Sequence, residues 1–443
     1  MAEPEARRRL ELGSVSENIV GGESAEHGRV QVQLRVALST IGVFHTFDLA
    51  RQLEKLGALV SVHTGYPRFK LKTAAIPAQK IRTFPWMVGP YMAGWVPSWL
   101  KEDWEYWNCT SFDAFVARTL PECDLYCGLS ASSLRSGGVA KRRGARYVCD
   151  RGSAHIRVQN RLLVEEHERW GVPFRGIDPR IVDREEQEYA LADAILVPSQ
   201  FAYESFVQQG VPKTKLRLAP YGVDLSKFHK VSSPRADAFD VLFVGSLSLQ
   251  KGLPYLLAAF ERLNHPNKTL TFAGTVASEV APLLRRFLSK DSGIRVLGHV
   301  PQDDLKTLMS RSHVLVLPSI QDGFGLVQAQ AMACACPVVA SRNTGAKDLF
   351  DDGREGFIVP PGDMDALLGA LQALADDPVL RDRLGNAALR KVSSLGGWDS
   401  YGRIVLTVFQ ELVAPTTTDA ANRGATCKTR FPLAGFASMK SDS

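Results

Sequence analysis

Residues Val314–Gly345 read VLVLPSIQDGFGLVQAQAMACACPVVASRNTG. Val314–Leu317 is the short apolar run of a strand buried on both faces, and Pro318-Ser319 stops it. Asp322-Gly323-Phe324-Gly325 follows as a loop whose two glycines permit positive φ and close approach of a ligand to the backbone. From Leu326 the apolar spacing turns helical and stays so until Pro337, where Pro337-Val338-Val339-Ala340 begins another strand. Strand, glycine loop, helix and strand make a βαβ unit, with the loop at the carboxyl edge where open α/β sheets take ligands.

The loop has chemistry of its own. Free N–H groups of the first helical turn, with the helix dipole behind them, favour an anion or hydroxyl oxygens. Asp322, just ahead, accepts from hydroxyls but repels a phosphate set directly on it, so a polyhydroxylated ligand with its phosphate slightly displaced fits best. Gln330 lies about one turn into the helix and can lean back to the same ligand. Read alone, Asp322 as a helix cap and Gln330 as a solvated polar residue fit equally well.

Working outward, 443 residues with 45% hydrophobic content suit two or three globular domains. A formal charge of +6 on that length is mild, compatible with an acidic acceptor or an anionic membrane surface, and equally with solvated basic faces. No apolar run reaches the ~20 residues of a bilayer span. The charged stretch 1–30 reads as a disordered leader and not as a signal peptide, and the polar stretch 414–443 as a disordered tail. Seven scattered cysteines form no C-x-x-C pair; buried reduced thiols at Cys334 and Cys336, and a cytoplasmic setting, are expected.

Towards the N-terminus, Gln33–Ser39 reads as the first strand, Thr40-Ile41-Gly42-Val43 as its loop, and His45–Leu56 as a helix. Gly42 suits either a ligand or a tight turn. Neither a G-x-G-x-x-G fingerprint nor a phosphate loop of the G-x-x-x-x-G-K type occurs. Arg68–Trp107 is rich in proline and aromatics, a composition that suits an acceptor groove, a membrane interface or an irregular insertion packed on the core. After the strand ARYVCD comes the polar loop Asp150–His155, whose histidine either is structural, as lone histidines usually are, or, at the carboxyl end of a parallel strand, faces a ligand. Leu225–Asp240 is polar and reads as a linker. A second α/β series opens at Asp240–Val244, with the loop Gly245–Gly252 and, just before a helix, Lys251: a cation beside helix N–H groups, suited to a diphosphate, or else a surface lysine. Two similar halves with glycine loops at their strand ends imply a ligand in the cleft between them.

Four stretches, LAPYGVDLSKF, VLFVGSLSLQKGLPYLLAAF, LPSIQDGFGLVQAQAMACACPVVASRNTG and EGFIVPPGD, in this order and spacing, resemble the nucleotide-sugar-dependent glycosyltransferases of the retaining, group 1 type. The resemblance covers most of Gln33–Leu412 and implies an α/β fold of two facing Rossmann-like domains, the GT-B architecture, with an interdomain cleft. The implied layout is an acceptor-binding domain at 31–224, a linker at 225–239, a sugar-nucleotide-binding domain at 240–395 and a last helix at 396–413 packing back on the first domain.

The resemblance also assigns roles. Lys251 would contact the donor diphosphate, with Ser246 standing where the family has an arginine. Asp322 and Gln330 fall on the family's two glutamates: Asp322, with the Gly323, Phe324 and Gly325 amides, would hold the transferred sugar, and Gln330 the ribose. Gln330 keeps an acceptor oxygen without the charge, which weakens its bonds to ribose. A subgroup similarly substituted there also resembles this chain at GVFHTFDLARQL and DRGSAHI. His155 would lie near sugar and acceptor, and Gly42-Val43 near the diphosphate; Lys251, Asp322 and His155 are the expected catalytic residues.

The expected reaction is transfer of a sugar, with retention and without metal or other cofactor, from a nucleotide-diphosphate sugar to a glycan, glycolipid or small-molecule acceptor, as in polysaccharide biosynthesis. A lipid-linked acceptor would bring the protein to the inner face of the membrane as a peripheral protein; nucleic acid is not an expected partner. The competing readings are a weakly active or inactive donor-binding scaffold, motivated by Ser246, Asp322 and Gln330, and a sugar-nucleotide epimerase.

Overall fold

The computed structural model describes residues 34–72, 74–288 and 292–414. The expected leader at 1–30, nearly all of the expected tail and Cys427 lie outside them. The first sheet contains β1 (Val36–Thr40), β2 (Leu59–Thr64), β3 (Ile81–Thr83), β4 (Leu125–Leu129), β5 (Arg146–Asp150), β6 (Ala194–Val197) and β7 (Leu216–Leu218), in the order β3-β2-β1-β4-β5-β6-β7. The second contains β8 (Phe239–Val244), β9 (Lys268–Ala273), β10 (Ile294–Val296), β11 (Val314–Leu317), β12 (Val338–Ser341) and β13 (Gly356–Val359), in the order β10-β9-β8-β11-β12-β13. All pairings are parallel.

The central strands are apolar from end to end because helices cover both faces: every residue of β1, β6, β11 and β12 is buried. Each half is thus a doubly wound, open α/β sheet, the two Rossmann-like units expected. In each, the strand order reverses once, between β1 and β4 and between β8 and β11, and the loops leaving those strands part to open a crevice.

The chain passes between the halves at 219–238 and returns in the helix Gly397–Val413, whose Tyr401, Val405 and Phe409 share the core of the first sheet with Val36 and Phe47. Outgoing and returning backbones touch. A Cβ on Gly222 would stand 2.2 Å from the Gly397 carbonyl carbon and 2.3 Å from the Trp398 nitrogen. Further bonds join the halves: Arg169 Nη1 donates to Tyr255 Oη at 3.0 Å, Tyr255 Oη to Glu166 Oε2 at 3.1 Å, and the Gln200 amide to the Asp348 carboxylate at 3.0 Å.

The segment read as irregular contains one long element. Lys101–Thr119 is a helix of 19 residues, with a short helix, Val88–Met92, before it. Only Phe112, Asp113, Val116 and Ala117 of the long helix are buried, all towards its end. Cys334 and Cys336 are buried free thiols, and burial pushes the Cys334 thiol up to about 11. No helix among the described residues is long and apolar enough to cross a membrane.

Candidate active site

The two loops at the switch point of the second sheet interlock through their backbones. Gly252, at φ 70°, has the Pro318 carbonyl oxygen 2.1 Å from where a Cβ would sit, and the Ile320 amide donates to the Gln250 carbonyl at 2.9 Å. This brings together side chains 71 positions apart: Lys251 Nζ meets Asp322 Oδ2 at 2.5 Å. The pair is four-fifths buried, at 20% and 17% exposure, so Lys251 is no free surface cation. Asp322 is fixed from below, its amide donating to Asn343 O at 3.0 Å while Asn343 Nδ2 donates to Ile320 O at 2.8 Å.

The helix Leu326–Ala333 starts immediately behind. Its N-cap, Gly325, takes φ 73°, and a Cβ there would press on Leu317 at 2.5 Å and on Gln328 Nε2 at 2.7 Å. Only glycine fits both the space and the dihedral. The first-turn amides and the dipole of this helix therefore open next to the Lys251–Asp322 pair.

The loop after β5 closes the site from the first half. Gly323 lies so near Gly152 that a Cβ would be 1.9 Å from the Gly152 oxygen; Gln321 Nε2 donates to Ser153 Oγ at 2.6 Å, and Ser199 Oγ to Gly323 O at 2.6 Å. Arg151 holds this loop from within, donating to Ala154 O at 3.0 Å, Glu185 Oε1 at 3.1 Å and Gln159 Oε1 at 2.6 Å. Beneath it, His45 Nε2 meets Asp150 Oδ2 at 2.7 Å and the Tyr221 hydroxyl at 3.1 Å, with the His45 and Tyr221 rings stacked at 4.3 Å. Tyr221 in turn meets Phe324 edge to face at 5.3 Å. Burial and the Asp150 charge raise the Tyr221 phenol well above its ordinary range, so it stays neutral.

His155, expected beside sugar and acceptor, lies outside this cluster. Its ring packs on Tyr189 and Phe206 at 5.0 and 4.9 Å, and its Nδ1 accepts from the Arg157 amide at 3.2 Å as the N-cap of the helix Ile156–Arg169. Burial lowers its pKa to about 4, so the ring is neutral at pH 7. The buried histidine beside the glycine contact is His45, with Asp150 and Tyr221. The sequence offered one clue to it: His45 stands in the first turn after the Gly42 loop.

Gln330 faces a cavity of about 300 Å³ lined also by Val43, Arg51, Lys70, Gln302 and Leu326, which neither Lys251 nor Asp322 reaches. Residues of both halves line it. Gly42 accepts from Thr64 Oγ1 at 2.7 Å and has the Phe44 ring 2.6 Å from where a Cβ would be; Val43 next to it reaches the cavity. Ser246 is exposed. Among the described residues, no group of three His, Cys, Asp or Glu side chains comes together to hold a metal.

Comparisons with known proteins agree with this architecture. A model described as Glycosyltransferase Family 4 matches residues 42–227, and one described as Glycosyl transferases group 1 matches residues 225–391. A D-inositol 3-phosphate glycosyltransferase of Kribbella flavida is 26% identical over 392 residues, 83% of this chain and 89% of its own length. A glycogen synthase of Mycobacterium tuberculosis is 30% identical over 193 residues, 42% of this chain and 46% of its own, so the chain spans about half of that relative. The solved structure of Anabaena Alr3699/HepE in complex with UDP-glucose superposes with a TM-score of 0.63 at 18% identity, covering 85% of this chain and 99% of that one, a likeness of fold. With its two halves matched in succession and its sheets in the GT-B arrangement, the chain belongs to the group 1 glycosyltransferases.

Proposed function

We propose that the protein transfers a sugar from a nucleoside-diphosphate sugar to a hydroxyl acceptor, with retention at the anomeric carbon and without a metal. The observation that carries this reading is the convergence of Lys251, Asp322 and a glycine-capped helix start at the switch point of the second sheet. Negative charge develops on the departing diphosphate, and a cation beside the helix N-terminus is placed to meet it. Without donor, Asp322 holds Lys251; with donor, Lys251 turns to the diphosphate and Asp322 accepts from hydroxyls of the transferred sugar. Gln330, in the adjoining cavity, takes the ribose. Attack from the leaving-group face lets a diphosphate oxygen receive the acceptor's proton, so no side-chain base is required. Walls from both halves exclude water and limit donor hydrolysis.

The group 1 family and a fold neighbour solved in complex with UDP-glucose support a nucleotide-sugar donor. The acceptor is a glycan, a glycolipid or a small molecule. Thermal unfolding with UDP, UDP-glucose and the other nucleoside diphosphates and their sugars, each with EDTA present, tests the donor. One base should stabilise the protein by about 2.7 kcal/mol at a hundredfold excess over its dissociation constant. Stabilisation by none of them refutes the donor assignment; stabilisation without turnover on any acceptor supports the scaffold reading motivated by Ser246, Asp322 and Gln330.

A further inference from the structure

From Gly65 to Lys101 the chain contains six basic residues, Arg68, Lys70, Lys72, Lys80, Arg82 and Lys101, and no aspartate or glutamate; Lys80 is paired with Glu54 at 2.6 Å, and acidic Glu102, Asp103 and Glu105 follow at once, the Tyr91 hydroxyl donating to Glu105 Oε1 at 3.4 Å. The same stretch exposes its largest apolar side chains: Phe69 is 68% exposed, Trp86 74%, Trp95 78% and Trp99 80%. Rings of this size are normally buried, so three tryptophans exposed within 14 positions of one another need an explanation. The segment is built and anchored. The Trp95 amide donates to Pro90 O at 3.0 Å, and Trp104 Nε1 to Met87 O at 2.9 Å. Val88 is buried against the glycine loop: a Cβ on Gly65 would lie 2.7 Å from Val88 Cγ2 and 2.6 Å from the Ile41 oxygen.

We propose that this face seats the protein on an anionic bilayer, with Trp86, Trp95 and Trp99 at headgroup depth and Lys72 and Lys101, both exposed, against lipid phosphates. Tryptophan suits that depth because its ring is apolar and its N–H finds a partner among headgroups. Lys72 and Lys101 suit an anionic leaflet, whose surface potential attracts exposed cations beside interfacial rings. Because Val88 fastens the segment beside Ile41-Gly42, the seated protein holds its cleft close to the membrane surface. What that placement delivers, a lipid-linked acceptor, rests on the glycosyl-transfer reading.

Co-sedimentation of the full chain with phosphatidylcholine vesicles, with and without phosphatidylglycerol, tests the seat. The protein should partition onto the anionic vesicles and come off as salt rises. Trp95→Ser/Trp99→Ser should weaken partition at least roughly tenfold, and Lys72→Glu/Lys101→Glu should remove the preference for phosphatidylglycerol. Both variants should keep the wild-type melting temperature and the wild-type stabilisation by UDP. Wild type remaining in the supernatant with both lipids overturns the proposal, as does undiminished partition of the tryptophan variant. So does a mass that rises with concentration, or binding to an oligonucleotide, in place of vesicle binding. Failure of UDP to stabilise wild type removes the donor assignment while leaving the vesicle result intact.

Discussion

Lys251 and Asp322 were legible in the sequence because each stands at a fixed offset from a strand end and a glycine, so that the fold carries them to the same place. The histidine was not. Asp150–His155 reads as one polar loop, yet Arg151 turns it inward and sends His155 into the Tyr189–Phe206 aromatic packing, while the partner of Asp150 comes from 105 positions away. Sequence proximity gives no access to such a pairing. Lys251→Ala should lower kcat by roughly 10²–10³ with a smaller change in donor affinity, since its charge acts mostly on the leaving diphosphate. Steady-state kinetics and donor titration separate the two effects, and equal losses in both would mark ground-state binding only. Gln330→Glu restores a charge-assisted acceptor in a cavity that also holds Arg51 and Lys70. Donor affinity should rise about fivefold, the worth of about 1 kcal/mol. Calorimetric titration of UDP checks it, and an unchanged affinity would place the ribose elsewhere.

Among elements, parallel strands and the helices flanking them were readable because burial on both faces leaves an unbroken apolar run, as in β11. The helix Lys101–Thr119 was hidden by the opposite circumstance: its first three turns bury nothing, so aromatic and charged residues alternate there without a helical period. The helix Leu326–Ala333 depends on its cap more than on its own eight residues, which include β-branched Val327. Gly325→Ala should cost about 1–2 kcal/mol for the left-handed dihedral and more for the overlap with Leu317 and Gln328. It should also abolish stabilisation by UDP, because the first-turn amides tilt away from the Lys251–Asp322 pair. Gly353→Ala, at φ 74° but with open space around it, is the control that carries the dihedral cost alone. Chemical unfolding of both variants with and without UDP distinguishes strain from loss of the site.

For the whole molecule, buried histidines make stability sensitive to acid. His63 and His155 are both buried and held near pKa 4 by desolvation, against an ordinary value of 6.5. The folded chain refuses protons that the unfolded chain accepts between those values, so their contribution is complete above 6.5 and is lost progressively as pH falls towards 4. Each is worth roughly 3 kcal/mol at most. His155→Asn keeps an acceptor for the Arg157 amide and removes one titration, so urea unfolding from pH 7 to pH 5 should show a shallower acid limb than wild type. Parallel acid limbs would mean that His155 charges in the folded state. The backbone contact between Gly222 and Gly397 has another consequence at this scale. Both chain crossings between the sheets run through one point, as the pages of a book meet at its spine. Rotation about that spine leaves nearby groups almost still and displaces those farther out in proportion to their distance from it. A side chain at residue 222 would act as a wedge in the binding, setting how far the covers can fold.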